Sequence, residues 1–327
     1  MIPGMEKLYP LRFEPLFRRY LWGGRRLGTV LGKPIGEGDD YAESWDVVDH
    51  GADQSVVSAG PVAGMTLGDL SQRYGTALFG RNEPQTQFPL LWKFLDAQKN
   101  LSLQVHPNDK QGAKLDPPDL GKTEAWIIVA AEPGSCLYAG LKQGVDRETF
   151  AHHLHNGTAD ECVYSYEPKV GDCIFVRAGA VHAVGAGLLV AEIQQSSDTT
   201  FRLFDWNRLG TDGKPRPLHI DQGIEVVDFS QTEIMPQAPQ PTDVDHIERL
   251  IDCEKFVLDR WRFSSSQSVA DDNRFHIMSV VAGSVDVVGD PAEKPLQTGE
   301  TMLLPAGRDT VELRPHAGTV ILDSYLP

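Results

Sequence analysis

Apolar and polar residues alternate along this chain mostly in short runs, and helical spacing is confined to two places. In MTLGDLSQRYGTALFG (65–80), Leu67, Leu70, Tyr74 and Leu78 recur at intervals of three and four, which predicts an amphipathic helix stopped by Gly80. DRETFAHHLHNG (146–157) predicts a second, shorter helix opened by Asp146 and closed at Asn156-Gly157. Elsewhere WIIVA (126–130), CIFVRA (173–178), LLVAEIQ (188–194), FHIMSVVAG (275–283) and TMLLPAG (301–307) read as short strands between glycine and proline turns. Many short strands of this kind predict a mainly β protein, a sandwich or barrel rather than a parallel sheet with crossover helices.

A faint internal repeat refines that expectation. GDCIFVRAGAVH (171–182) aligns with GETMLLPAGRDT (299–310): each begins with Gly and an acid, runs through four strand residues and turns at Ala-Gly. The pattern predicts two cupin or jelly-roll-like β modules, with a few short helices in the N-terminal part. The proline-rich MPQAPQPTDVD (235–245) reads as the linker between a module over 1–234 and one over 246–327. His182 of the first copy falls opposite Thr310 of the second, so the C-terminal module is expected to lack metal ligands and to support the other.

Composition narrows the function. The chain has 327 residues, 41% of them hydrophobic, which is ordinary for a globular protein. Its 46 acidic against 30 basic residues give a net charge of −16, unlike the basic footprint that nucleic acid or an anionic membrane requires. No apolar run approaches the ~20 residues of a bilayer span. The start of the chain, MIPGMEKLYPLRFEPLF, lacks an unbroken apolar stretch, and Met5 is an equally good first residue. Cys136, Cys162, Cys173 and Cys253 are scattered and read as reduced thiols, so a cytoplasmic protein is expected.

Three segments gather metal-ligand side chains. In LSLQVHPND (101–109) strand alternation puts Gln104 and His106 on one face; in GKTEAWIIV (121–129) Lys122 and Glu124 share a face; in AGAVHAVGAG (178–187) His182 follows a glycine turn at a barrel rim. Two histidines, a carboxylate and the Gln104 carbonyl suit zinc, and the same set suits iron. Each histidine taken alone is more often a hydrogen-bonded core or surface residue. His152, His153 and His155 lie on the short helix and read as a solvated face, and His276 has no obvious partner. Lys93, Lys122 and Arg202 interrupt strand-like surroundings in an acidic protein. An anionic ligand such as a phosphate explains them together, and ion pairs with Asp96, Glu192, Asp198 or Asp205 explain them singly. The polar run EIQQSSDTTFRLFD (192–205) reads as the lining of a site.

The segments FEPLFRRYLWGGRRL, AESWDVV (42–48), FPLLWKFLDAQKNLSLQVHPND (88–109), GKTEAWIIV, VRAGAVHAVGAG (176–187) and EIQQSSDTTFRLFDWNR (192–208) resemble, in order, the short bacterial form of the type I mannose-6-phosphate isomerases. The resemblance runs through residues 12–230, and the C-terminal strands fit it too. It implies a cupin fold, one catalytic Zn2+ per chain and reversible conversion of mannose 6-phosphate to fructose 6-phosphate. By the same resemblance His106, Glu124 and His182 fall on the zinc ligands, Gln104 on a fourth ligand and Arg202 on an active-site arginine. Lys122, Glu192, Lys93, Asp198, Glu43 and Ser102 fall on the phosphosugar pocket. The long relatives' extra helical domain is missing between Glu124 and Gly171.

Isomerisation through a cis-enediol needs a base at the C1–C2 edge, stabilisation of the enediolate and an anchor for the phosphate. Lys122 is preferred over Glu192 as that base, because a neighbouring cation lowers a lysine's pKa. Arg202 is left either to the reacting centre or to the phosphate. The alternatives are a non-catalytic sugar-phosphate-binding cupin, a phosphoglucose isomerase on the same scaffold, and an iron oxygenase.

Overall fold

The computed structural model describes residues 7–210 and 213–327, so the first six residues, Met5 among them, lie outside the described part. Both predicted helices form. Leu67–Phe79 starts from a capping box in which Thr66 and Asp69 satisfy each other's backbone amides, and it buries Leu67, Leu70 and Leu78. Tyr74 departs from helical geometry (φ −118°) and puts a kink mid-helix. Gly80 ends the helix at φ +55°, where a Cβ atom would lie 2.3 Å from the Asn273 carbonyl oxygen. The second helix, Arg147–Asn156, is capped by the Asp146 side chain and closed by Gly157 in the left-handed region.

The rest is β, built as two sandwiches. In the first, a six-stranded antiparallel sheet runs in the order Cys173–Val176, Glu124–Ala131, Leu188–Gln195, Leu90–Ala97, Tyr41–Val47, Leu16–Gly24. Its partner is a five-stranded sheet in the order Val163–Tyr166, Leu137–Leu141, His182–Val184, Leu103–Val105, Phe201–Phe204. Leu95, Trp126, Ile128 and Val190 from one meet Leu137, Ala139 and Val184 from the other. The outer face of the smaller sheet is covered by Phe150 and Leu154 of the second helix and by Ile224 and Val226 of Ile220–Val226. The outer face of the larger sheet, with Trp92, Phe94, Ile127 and Ile193, packs into the core that holds Leu67, Leu258, Ile277 and Leu303. Near-continuous burial of Leu90–Ala97 and Leu188–Gln195 follows from that position, since both faces are covered.

The second sandwich is C-terminal. Its eight-stranded sheet includes Ile247–Asp252, Val257–Phe263, Thr319–Tyr325, His276–Ala282 and Thr301–Leu304, and Leu11–Glu14 pairs onto Thr301–Leu304. The predicted repeat has structural content: Gly171 and Gly299 both turn at positive φ into the matching strands Cys173–Val176 and Thr301–Leu304. Thr310 is exposed before Val311–Pro315. Charged bonds tie the sandwiches together, among them Lys255 Nζ to Asp109 (2.6 Å) and Thr301 Oγ1 to Asp46 (2.7 Å), while Arg12 Nε to Asp290 (2.7 Å) fastens the N-terminal strand within the second. The four cysteines are free thiols, and no helix of the described residues is long and apolar enough to cross a membrane.

His276 corrects the reading of a histidine without partners. Its Nδ1 lies 3.0 Å from both oxygens of Asp323, and its Nε2 lies 3.2 Å from Asp272. Asp323 stands on a strand forty-seven residues later and Asp272 in the loop four residues before, so alternation within the His276 strand shows neither. Against the opposing effect of burial, the facing Asp323 and Asp272 raise its pKa from 6.5 to about 9. The imidazolium therefore stabilises the fold below pH 6.5, and that contribution is lost as pH rises through about 9. Urea unfolding of the wild type should weaken by about 3 kcal/mol relative to His276→Phe across that window, and parallel curves for the two proteins would contradict it.

Candidate active site

The register of the large sheet brings its polar residues together. Glu192 stands opposite Lys93 on one neighbouring strand and opposite Trp126 on the other, and Gln194 stands opposite Glu124. Residues directly opposite in antiparallel strands share a face, so Glu124, Glu192 and Lys93 project into the sandwich interior. On the smaller sheet Gln104 stands opposite both His182 and Arg202. His106 leaves the end of Leu103–Val105 through the turn at Pro107, and its Nδ1 lies 2.9 Å from the Thr199 carbonyl.

His106, Glu124 and His182 form a group whose ligand atoms all lie within 4.8 Å of one another, the one such group of three or more among the described residues. His106 Nε2 lies 3.5 Å from Glu124 Oε2, and His182 Nε2 lies 3.3 Å from Glu124 Oε1. All three are at most 1% exposed, and His106 Nε2 and both Glu124 oxygens have no hydrogen-bond partner among the described residues. Buried polar atoms are rarely left so, and two imidazoles with a carboxylate are the donor set of a divalent metal. Each ring is turned for that use: the Nδ1 atoms face the carbonyls of Thr199 and Ala180 at 2.9 Å, which leaves Nε2 for a cation. Burial pushes the His106 pKa well below 6.5 and that of His182 down to about 4, so both rings are neutral near pH 7. Gln104 brings its side-chain amide to 3.2 Å from His182 Nε2.

Beside this group opens a cavity of about 300 Å³. Glu43, Lys93, Ser102, Gln104, Lys122, Glu192, Asp198 and Arg202, all expected from the sequence, line it. The three-residue cluster lies just beneath, with Lys122 Nζ 3.5 Å from Glu124 Oε2. Lys93 Nζ lies 3.3 Å from Glu192 and 3.7 Å from Glu43, whose other tie is the Trp45 indole N–H at 2.5 Å. Burial, with the Glu124 carboxylate next, pushes the Glu192 pKa up to about 7. Asp198 is exposed, unlike the buried Ser102. Of the partners expected for these cations, Glu192 does pair with Lys93, whereas Asp96 binds Arg26 (2.7 Å); Glu43 and Glu124 are the further partners of Lys93 and Lys122.

Several contributors carried no sequence signal. Tyr20 and Trp22 stack at 5.5 Å and, with Trp126 and Arg216, add to the lining. Asp119 lies in an unpatterned loop, yet its carboxylate accepts from Ser197 Oγ (2.8 Å) and Thr199 Oγ1 (2.7 Å), and lies 3.3 Å from His50. Against the opposing effect of burial, the bonds from His50, Thr199 and Ser197 hold its pKa well below the usual carboxylate range. Asp119 thereby fixes the carbonyl that orients His106. Asp119→Asn is expected to weaken metal retention by about 10–100-fold, read as the chelator concentration that strips half the metal. An unchanged midpoint would contradict this role.

Comparison with known proteins matches this geometry. Residues 11–125 match the family model "Phosphomannose isomerase type I, catalytic domain", and residues 246–322 match "Mannose-6-phosphate isomerase, cupin domain". Mannose-6-phosphate isomerase ManA of Bacillus subtilis is 34% identical over 323 residues, covering 95% of this chain and 98% of the relative. Mannose-6-phosphate isomerase of Streptococcus mutans is 31% identical, covering 90% and 92%. The crystal structure of mannose 6-phosphate isomerase from Bacillus subtilis superposes with a TM-score of 0.89 at 27% identity, covering 98% of this chain and 100% of that one. With its His–Glu–His cluster set between the two sheets of a mainly β cupin fold, the chain belongs to the type I mannose-6-phosphate isomerase family.

Proposed function

We propose that the chain is a zinc-dependent aldose–ketose isomerase that interconverts mannose 6-phosphate and fructose 6-phosphate through a cis-enediol. The observation that carries this is the adjacency of the buried, partner-poor His106–Glu124–His182 cluster to a cavity lined by the Glu192 carboxylate and by Arg202 and Arg216. Zinc bound by these three residues, with Gln104 at their edge, would supply a fixed positive charge that stabilises negative charge on the sugar oxygens. Arg202 and Ser102 anchor and orient the substrate, and Lys93 fixes Glu192 by facing it at 3.3 Å.

The preference for Lys122 as the carbon base gives way here to Glu192. A base works best with a pKa near the operating pH, and burial brings Glu192 there. In mannose 6-phosphate the carboxylate takes the proton from C2, exchanges it with solvent at the enediol stage, and delivers a proton to C1 to give fructose 6-phosphate. Lys122, beside Glu124, then moves the proton between O1 and O2. In this reading residues 1–234 do the chemistry and 246–327 brace the large sheet from behind, through a linker at 235–245. Turnover of mannose 6-phosphate in D2O tests the proposal. The account expects fructose 6-phosphate carrying deuterium at C1, together with deuterium washing into C2 of mannose 6-phosphate. Glucose 6-phosphate as the sole aldose accepted would make it a phosphoglucose isomerase, and no turnover of either would remove the reading.

A further inference from the structure

Beside Arg202, at the cavity wall, two guanidiniums share one carboxylate. Asp205 Oδ1 accepts from Arg208 Nε (2.9 Å), Arg208 Nη2 (2.7 Å) and Arg216 Nη2 (2.6 Å), and Oδ2 accepts from Arg216 Nε (2.7 Å). Arg202 has no carboxylate within 4.0 Å among the described residues; its Nη1 donates to the Pro217 carbonyl (2.9 Å), and its buried Nε has no partner. Positive charge left over in this way, in a chain of net charge −16, marks a place kept for an anion. The two lysines of the cavity do not compete for that role, since Lys93 and Lys122 already face Glu192, Glu43 and Glu124 at 3.3–3.7 Å.

Arg202 and Arg216 both line the cavity, whereas Arg208 does not. They come from different segments. Arg202 sits on Phe201–Phe204, while Arg216 lies on the segment that folds back along it, held by His219 N to the Arg202 carbonyl (2.7 Å) and by Arg202 N to His219 Nδ1 (3.1 Å). Asp205 occupies the Nε and Nη2 edge of Arg216, and Nη1 has no partner among the described residues. A guanidinium gripped along one edge and unused along the other is pre-organised for a second planar acceptor.

We propose that Arg216 is a phosphate-binding residue of this cavity, taking the ester phosphate of the substrate together with Arg202, with Asp205 and Arg208 as the positioning residues that hold it. The inference rests on the isomerase reading for the identity of the phosphate ester, but not for the binding of the anion. It assigns the discrimination between a hexose phosphate and a neutral hexose to a segment outside both sheets.

Arg216→Gln removes the charge and keeps most of the length. The expected result in zinc-loaded protein is a rise of about ten- to a hundredfold in KM for mannose 6-phosphate, with kcat within about threefold of wild type. Competitive inhibition by inorganic phosphate should weaken by the same factor, and Arg216→Lys should fall between the two. A KM and an inhibition constant both within twofold of wild type would overturn the inference, as would a fall in kcat alone. Should the glutamine variant fail to fold, Arg216→Lys decides: its dissociation constant for inorganic phosphate rises at least threefold if the fork is used, and stays at the wild-type value if it is not. Wild-type protein that binds phosphate in calorimetry but never turns over mannose 6-phosphate would sink the isomerase reading and leave the Arg216 comparison intact.

Discussion

Glu124→Gln is expected to lose its metal on gel filtration and to lower turnover of mannose 6-phosphate by about 10³-fold or more. Glu124 is the sole carboxylate of the cluster, is 1% exposed, and leaves both oxygens without a hydrogen-bond partner among the described residues. Replacing it by its amide removes the anionic ligand from a site whose two remaining members are neutral rings. The backbone has little reason to move, because Glu124 is held in its sheet by pairing with Val176 and Gln194. In metal-free protein the carboxylate faces the buried Lys122 ammonium at 3.5 Å, and the amide leaves that ammonium unpaired, so the metal-free variant should melt no higher than metal-free wild type. Zinc analysis, circular dichroism and turnover on one preparation read all three effects. A variant that keeps one metal per chain and a tenth of wild-type turnover would show that the cluster is not the site.

Glu192→Gln is expected to cut kcat by about 10²–10⁴-fold while changing KM far less, because the amide keeps shape and polarity but cannot accept a proton from carbon. The pH profile gives an independent reading. Burial raises this carboxyl from 4.5 to about 7, and the active form of a base is the ionised one. Activity should therefore rise with pH through a limb between 4.5 and about 7, with a bound cation drawing it toward the lower value. Glutamine at 192 should abolish that limb in the residual rate. Lys122→Met separates the two candidate bases: loss of deuterium exchange at C2 with Glu192→Gln, and its retention with Lys122→Met, is the pattern expected. The reverse pattern would return the role to Lys122.

Much of this was legible from local pattern, and the part that was not has a common cause. Strand and helix positions follow from alternation and caps, which are properties of neighbouring residues: Asp146 and Gly157 bound their helix as read, and Gln104 and His106 do share a face. The three members of the His106–Glu124–His182 cluster are similarly readable as candidates, since each sits in a short segment of its own kind. What the segments do to one another is not local. Lys93 meets Glu192 through the register of two strands about a hundred residues apart, and no pattern within either strand encodes that pairing. The proton affinity of Glu192 is set by burial beneath both sheets, which exists only after folding. Asp119 and Arg216 lie in loops without periodicity, so their roles appear only where the chain returns on itself. The partners of His276 were hidden for the same reason, Asp323 being on a strand forty-seven residues later.

The central claim is that a metal held by His106, Glu124 and His182 serves the isomerisation of a phosphosugar in the adjoining cavity. Fructose 6-phosphate formation from mannose 6-phosphate, measured on metal-analysed protein before chelation, after it, and after readdition of zinc, tests that most directly. The account predicts turnover that falls at least a hundredfold when the metal is removed and returns as zinc reaches one equivalent per chain. Protein carrying a full equivalent of zinc in this cluster and still inert toward mannose 6-phosphate would contradict it, as would turnover indifferent to the metal.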